Sequence, residues 1–379
     1  MNPLVFGVAA LIAAAMLEKR KRTMHNCSED LLGYHDDEVT LPKPERDEMR
    51  DRRDANRDRL KDGLAKEELP SPIEFKSQGS FAMKTIIRHP NKDYDIDDGV
   101  YFEKDDLVGD RGAEMSPLDV RHMVRDALDD GSFKKAPEVR SNCVRVFYDA
   151  GYHVDVPVYR RVETEDLFGD KSVHYELASS EWKRSDARDV TAWFEKVNDE
   201  KSPDKANGLQ LRRVTRMVKK FARSRPSWVD TILSGFGITV LVAECYHADA
   251  DREDLALYET MKAVKDRLDW DLEVAHPVTP DTTITKNSDD PKARVLREKL
   301  ADALESLKPL LDAKCEREAA LKCWDRVFFT KYFSGRIDDG DGKARSSSAT
   351  RPFEIGMVGS LGSNEARPAV RKDGGGRYA

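Results

Sequence analysis

Four short features carry residue types that do chemistry. The first is Asp95-Ile96-Asp97-Asp98-Gly99. Alternate side chains of a strand share a face, so Asp95 and Asp97 project together. Two carboxylates that close repel unless a cation lies between them, and hard oxygen ligands suit Mg²⁺. A third acid, Asp155, stands among valines in Val154-Asp155-Val156-Pro157, and a neighbouring strand would bring it to the same metal site. His153 is read as a packed strand residue on the opposite face from Asp155. Upstream, Gly79-Ser80 follow a short strand and precede a short helix, where backbone N–H groups and a hydroxyl can cradle a triphosphate. The plain alternative for Asp-Ile-Asp-Asp-Gly is a solvated strand end entering a turn. A strand, Gly-Ser, an acidic pair and a third acid in order are more specific than any one of them.

The fourth feature is basic. From Leu209 to Arg225, Leu211, Val214, Val218 and Phe221 form one helical stripe, and Arg212, Arg216, Lys219 and Arg223 another. The second stripe reads in the first instance as a solvated basic face.

The elements that must position these residues divide the chain in two. A charge-laced helix from about Lys43 to Glu68 ends at Leu69-Pro70-Ser71-Pro72. Short strands follow near Ile73–Phe75, Tyr94–Phe102, Cys143–Tyr148 and Tyr152–Tyr159, with a helix at Pro117–Leu128. Beyond Ser185 the pattern is helical: Val190–Val197, Leu209–Arg223, Gly237–His247, Leu255–Leu268, and one long helix from about Pro291 to Tyr332. The expected fold class is α+β, with the division 1–42 leader and linker, 43–184 mixed core with its N-terminal helix, 185–335 helical lobe and 336–379 disordered tail.

Composition narrows the function classes. The 379 residues are 39% hydrophobic and 36% charged with net charge -7, so the chain as a whole is not built to coat nucleic acid. Five scattered cysteines without a CxxC pair argue against a zinc finger and a disulfide framework. The apolar run at 3–17 is shorter than the ~20 residues of a spanning helix. It precedes a basic run, the wrong polarity for a secretory signal. It reads either as a leader from an upstream start codon or as a membrane-proximal helix; either way the body stays cytosolic.

Three segments together resemble the polymerase-β-like nucleotidyltransferases, and more closely the bacterial cGAS/DncV-like enzymes of CBASS antiphage systems. They are Gln78-Gly79-Ser80-Phe81, Asp95 to Tyr101, and His153 to Tyr159. The resemblance implies a polymerase-β-like core with a helical C-terminal lobe and a cleft between them. It implies a metal site of Asp95, Asp97 and Asp155 holding two Mg²⁺, with Mn²⁺ as a substitute. It implies nucleotide contacts at Gln78, Gly79, Ser80, Arg145, Ser185, Lys219, Ser234 and Asp281, although Ser234-Gly235 stands where the family has paired serines. The expected substrates are ATP and GTP and the expected product is cyclic GMP-AMP, which activates a separate effector. A ubiquitin-like conjugating partner acting on the C-terminus is also implied. A template-independent RNA nucleotidyltransferase and an inactive scaffold of the same fold are the alternatives.

Overall fold

The structure, a computed structural model, describes residues 23–337 except 90–93, 110–111, 149–150, 167–168 and 206–207, and of the first 22 residues only 15 and 19–21. The apolar run at 3–17, residue 15 apart, and the tail beyond 337 with the expected conjugation end therefore lie outside the described residues.

Eight strands form one sheet: β1 (Glu74–Gln78), β2 (Asp95–Glu103), β3 (Glu138–Val139), β4 (Val144–Phe147), β5 (His153–Val156), β6 (Val158–Glu165), β7 (Lys171–Ala178) and β8 (Trp182–Arg184). Their order is β3-β4-β5-β2-β6-β7-β8, and β1 pairs antiparallel with β2. β5 and β6 run parallel to successive halves of β2. Pro157 separates them because it has no N–H to give the ladder, while its carbonyl accepts from Val100 N at 2.9 Å. The strand expected to end at Tyr159 runs on to Glu165 and turns back as β7, a hairpin with little alternation in sequence.

The alternation of β2 decides which face of the sheet is core. Ile96, Val100 and Phe102 pack with Met49, Leu60 and Leu64 of the Lys43–Lys66 helix and Val120 and Val124 of the Pro117–Leu128 helix. Asp98 points to that covered face as well. It is held by Arg57 at 2.6 and 2.5 Å and by the Ser77 hydroxyl at 3.0 Å. Asp95, Asp97, Gly99 and Tyr101 share the other face.

The helical lobe comprises Ala187–Lys201, Gln210–Ala222, Gly235–Cys245, Glu253–Trp270, Pro291–Leu307 and Arg317–Phe328. The long helix expected from 291 to 332 is two helices. The first gives way to a 3₁₀ turn at Lys308–Leu311 containing Pro309, whose ring and missing N–H stop a continuing helix. The other difference lies near the N-terminus, in residues expected to be leader and linker. Ser28–Tyr34 is a helix followed by a π turn at His35–Val39, and Met24, Cys27, Leu31, Tyr34 and Val39 are buried in the helical lobe. The basic run before them docks as well: Arg20 pairs with Glu259, and Lys21 with Asp251 at 2.9 Å. Among the described residues no helix is long and apolar enough to cross a membrane.

Gly63 tests the contact between the two helices beneath the sheet. In an exposed helix interior, Gly→Ala stabilises by about 1 kcal/mol. Here a Cβ would lie 2.0 Å from the Ala127 carbonyl oxygen. Gly63→Ala is expected to destabilise by about 1–3 kcal/mol, the range for overpacking, measured by urea unfolding. A stabilised variant would contradict this contact.

Candidate active site

Strand register builds the floor of the site. Gln78 of β1 lies opposite Asp97 of β2, Asp97 beside Asp155 of β5, and Asp155 opposite Arg145 of β4. Residues in register share a face, so these four side chains form one row across the sheet. One pleat away on the same face, Asp95 lies beside His153 and the two side chains pair. This corrects the expectation for His153: residues two apart on a strand share a face, so His153 lies on the Asp155 side and faces Asp95.

Above the row, β1 ends in the four-residue helix Gly79–Ala82. Gly79 has φ +60°, a left-handed conformation that glycine adopts without strain. A Cβ there would sit 2.2 Å from Asp97 Oδ2, so the turn closes directly onto the carboxylate. Glycine at 79 is thus fixed by backbone conformation and by close approach.

A cleft of about 270 Å³ opens over this floor. Gln78, Gly79, Ser80, Asp95 and Asp97 line one side. Lys219, Arg223, Ser234 and Phe236 of the helical lobe line the other. Ser234 caps the Gly235–Cys245 helix, its Oγ accepting from Gly237 N at 3.1 Å, and that helix begins at the cleft with positive N-terminal polarity. Lys219 lies against the next residue. A Cβ on Gly235 would come within 3.1 Å of Lys219 Cε, so a side chain at 235, where a second serine was expected, would crowd the lysine.

Most of the basic stripe is not a solvated face: Arg212 and Lys219 are buried and Arg216 half-buried, while Arg223 is exposed. Lys219 Nζ donates to the Thr85 carbonyl at 2.8 Å, and Arg216 donates to the Lys84 carbonyl at 2.8 and 2.5 Å. Lys220 reaches the Arg88 carbonyl at 3.3 Å. These three cations tie the helical lobe to the segment that follows the Gly79 turn.

The electrostatics are those of a floor short of positive charge. Burial, with the neighbouring charges of Asp155 and Asp95, pushes the Asp97 carboxyl well above the usual range. Asp95 is different: burial opposes its ionisation, but the His153 hydrogen bond and the charges of His153, Arg145 and Arg223 hold it below its usual value. Its side chain is 50% exposed toward the cleft. Opposite, burial and then Arg223 and Arg216 lower the Lys219 ammonium to about 7.

The expected site residues therefore separate into groups. Gln78, Gly79, Ser80, Asp95, Asp97, Lys219 and Ser234 meet at the cleft. Asp155 is only 1% exposed, and its carboxylate takes a two-pronged bond from Arg145 at 2.7 and 2.7 Å, so both stand beside Asp97 rather than in the cleft wall. Ser185 lines a second cavity of about 330 Å³, which shares Phe236 with the first. Asp281 is exposed, with φ +56°, between Thr279 and Thr282 of that cavity. Arg223, expected only as part of the basic stripe, also lines the cleft; its spacing one turn after Lys219 is the sequence signal for it.

The donor set suits a hard divalent cation: oxygen ligands, an Asp97 carboxyl that resists ionising, and a partly open Asp95. Asp95 and Asp97 would hold it, joined by Asp155. Among the described residues no three such groups are already arranged as a metal cage, and Asp155 is bound to Arg145.

Lys219 gives this geometry a pH signature. Its folded value is lowered in the free protein, so a polyphosphate partner must raise it and binding takes up a proton. Affinity for ATP is expected to fall as pH rises above about 7, by at most about tenfold per unit. Calorimetric titration across pH 6–9 (roughly the window over which such a shift acts) checks this against Lys219→Arg, which should lose that part of the dependence. Equal pH profiles for the two proteins would show that Lys219 does not meet the phosphates.

Comparison with known proteins agrees with the geometry. Residues 73–159, from β1 through the start of β6, match the family described as cyclic GMP-AMP synthase DncV-like, nucleotidyltransferase domain. A mutant of the Vibrio cholerae dinucleotide cyclase DncV superposes with a TM-score of 0.63 at 18% identity, covering 81% of this chain and 96% of that one. The same enzyme with a linear pppA(3′,5′)pG intermediate gives 0.59 at 18% identity over 77% and 91%. CdnC of E. coli MS115-1, solved with ATP, gives 0.59 at 17% identity over 80% and 98%. At these identities the superpositions establish the fold across both lobes. The chain thus has the fold of these enzymes, and its residues 73–159 match the DncV-like nucleotidyltransferase domain.

Proposed function

We infer that the protein joins ATP and GTP into a cyclic di- or trinucleotide, 3′,3′-cyclic GMP-AMP first among them, in a Mg²⁺-dependent reaction in the bacterial cytosol. The product would be a second messenger in antiphage defence, read by a separate effector. One observation carries this reading: the Asp95–Asp97 pair lies under the Gly79-Ser80 turn, facing Lys219, Arg223 and a helix N-terminus across a single cleft.

Each wall has a separate task. The Gly79-Ser80 turn and the Ser234 helix start offer N–H and hydroxyl donors to a triphosphate. Lys219 and Arg223 neutralise its charge from the far side, as a point charge and a planar fork. Held by Asp95, Asp97 and Asp155, Mg²⁺ would supply acidification of the acceptor hydroxyl and charge relief at the leaving pyrophosphate. Asp155, next to Asp97, can take the proton from that hydroxyl once it turns from Arg145. Positioning and charge neutralisation then do most of the catalysis.

The second cavity supports a site for two nucleotides. Ser185, Lys183, Thr279, Thr282 and Lys286 offer hydroxyls and cations on the far side of Phe236, with Asp281 nearby. A cyclic product requires a linear intermediate to turn and react again within one enclosed site, and two adjoining chambers suit that sequence.

Purified protein with Mg²⁺ and labelled nucleoside triphosphates is expected to yield a phosphatase-resistant product whose mass identifies its bases. Asp97→Asn should reduce it by at least about a hundredfold, the scale for losing an electrostatic stabiliser at a reacting centre. Because the substitution also relieves repulsion with Asp95 and Asp155, its melting temperature should not fall. Only linear products dependent on added RNA would favour the chain-extending alternative.

A further inference from the structure

Gln78 is among the residues around the cleft, yet it is only 1% exposed and its amide is bound to Tyr101 and Tyr159 rather than left open to a nucleotide. It leaves the row of Asp97 and lies along the sheet over Gly99 toward the next row of the same face, where Tyr101 of β2 stands beside Tyr159 of β6. There the amide is held at both ends. Nε2 donates to Tyr101 Oη at 3.1 Å, and Tyr159 Oη donates to Oε1 at 3.1 Å.

The path exists only because residue 99 is glycine. A Cβ there would lie 2.0 Å from Gln78 Nε2 and 3.1 Å from Tyr159 Cε2. The glycine that closes Asp-Ile-Asp-Asp-Gly is therefore the channel for the glutamine of Gln-Gly-Ser, and the two motifs interlock.

The tyrosines that receive the amide are rigidly placed. Their rings stack at 4.7 Å and 10°, and Tyr175 meets Tyr101 edge-on at 5.5 Å. Arg188 covers Tyr101 and Tyr175 at 4.7 and 3.8 Å, and is itself fixed by Asp186 at 2.7 Å and Glu74 at 2.6 Å. Both tyrosines are fully buried, and neither lines the cleft. Burial raises both phenols far above their ordinary range, so they remain protonated.

We propose that Gln78 is a positioning residue rather than a nucleotide contact: its amide, threaded over Gly99 and clamped between Tyr101 and Tyr159, sets the Gly79-Ser80 turn against Asp97. A buried amide with both ends satisfied costs more to displace than a solvated one, because release would orphan polar groups away from water. The clamp thereby fixes the turn that closes on Asp97 from the Tyr101–Tyr159 row, further along the same face of the sheet. Neither tyrosine of the clamp lines the cleft.

The test uses Tyr101→Phe/Tyr159→Phe, which removes both hydroxyls, keeps both rings and touches nothing in the cleft. Hydrogen–deuterium exchange of residues 74–83 should rise about tenfold or more, the scale for losing roughly 1.4 kcal/mol of local protection. Exchange in the 253–270 helix should stay unchanged. This arm is independent of catalysis. Unaltered exchange at 74–83 overturns the clamp, whatever the enzyme makes.

The kinetic arm rests on the nucleotidyltransferase reading. There kcat should fall about tenfold or more, the cost of sub-ångström misplacement of a reacting group, with KM for ATP changed less than about threefold. Gln78→Met, a similar volume without the amide, should repeat both effects. A raised KM with unchanged kcat in Gln78→Met would instead make Gln78 a nucleotide contact and overturn the proposal. If the wild-type protein makes no product while exchange responds as stated, the clamp stands and the reaction assigned above falls.

Discussion

Parallel pairing of β2 with β5 puts Asp97 directly beside Asp155, with Asp95 one pleat away on the same face. Adjacent carboxylates cannot all ionise freely, and burial of Asp97 sharpens the conflict. Much of the surrounding structure relieves it. Arg145 takes Asp155, His153 takes Asp95, and Asp98 is turned to the opposite face and given to Arg57. What remains is Asp97, facing a cleft whose other wall carries Lys219 and Arg223. In the function proposed above, a cation and a polyphosphate would enter this site together, the cation meeting the carboxylates and the polyphosphate the cations of the opposite wall.

Holding that floor steady requires both lobes. From below, the Lys43–Lys66 helix grips β2 through Arg57 and Asp98. Along the sheet, Gln78 is anchored in the Tyr101–Tyr159 stack. From the helical side, Arg216, Lys219 and Lys220 seize carbonyls of the segment after the Gly79 turn. Lys219 is shared between that strap and the cleft wall.

How much of this was legible in sequence depends on the period of each signal. The acids of β2 and β5 alternate with Ile and Val, so their common face follows from a two-residue repeat, and Gly79-Ser80 from turn chemistry. The same repeat places His153 with Asp155, two residues apart on one face of β5. Pairing across strands was invisible: nothing local says that Arg145 meets Asp155, or that Gln78 reaches Tyr159 over Gly99. The Met24–Val39 segment was obscured by its short, uneven apolar spacing, which acquires meaning only against the helical lobe that buries it. Pro309 is a visible break in sequence, but helical periodicity on both sides of it masks the stop.

The most direct measurement is crystallographic: the protein with Mn²⁺ and a non-hydrolysable ATP analogue, with the metal located by anomalous scattering. The account predicts metal density between Asp95 and Asp97, with Asp155 turned from Arg145 toward it and the triphosphate between the Gly79-Ser80 turn and Lys219. Metal bound elsewhere, or a triphosphate seated with Asp95 and Asp97 carrying none, would contradict it.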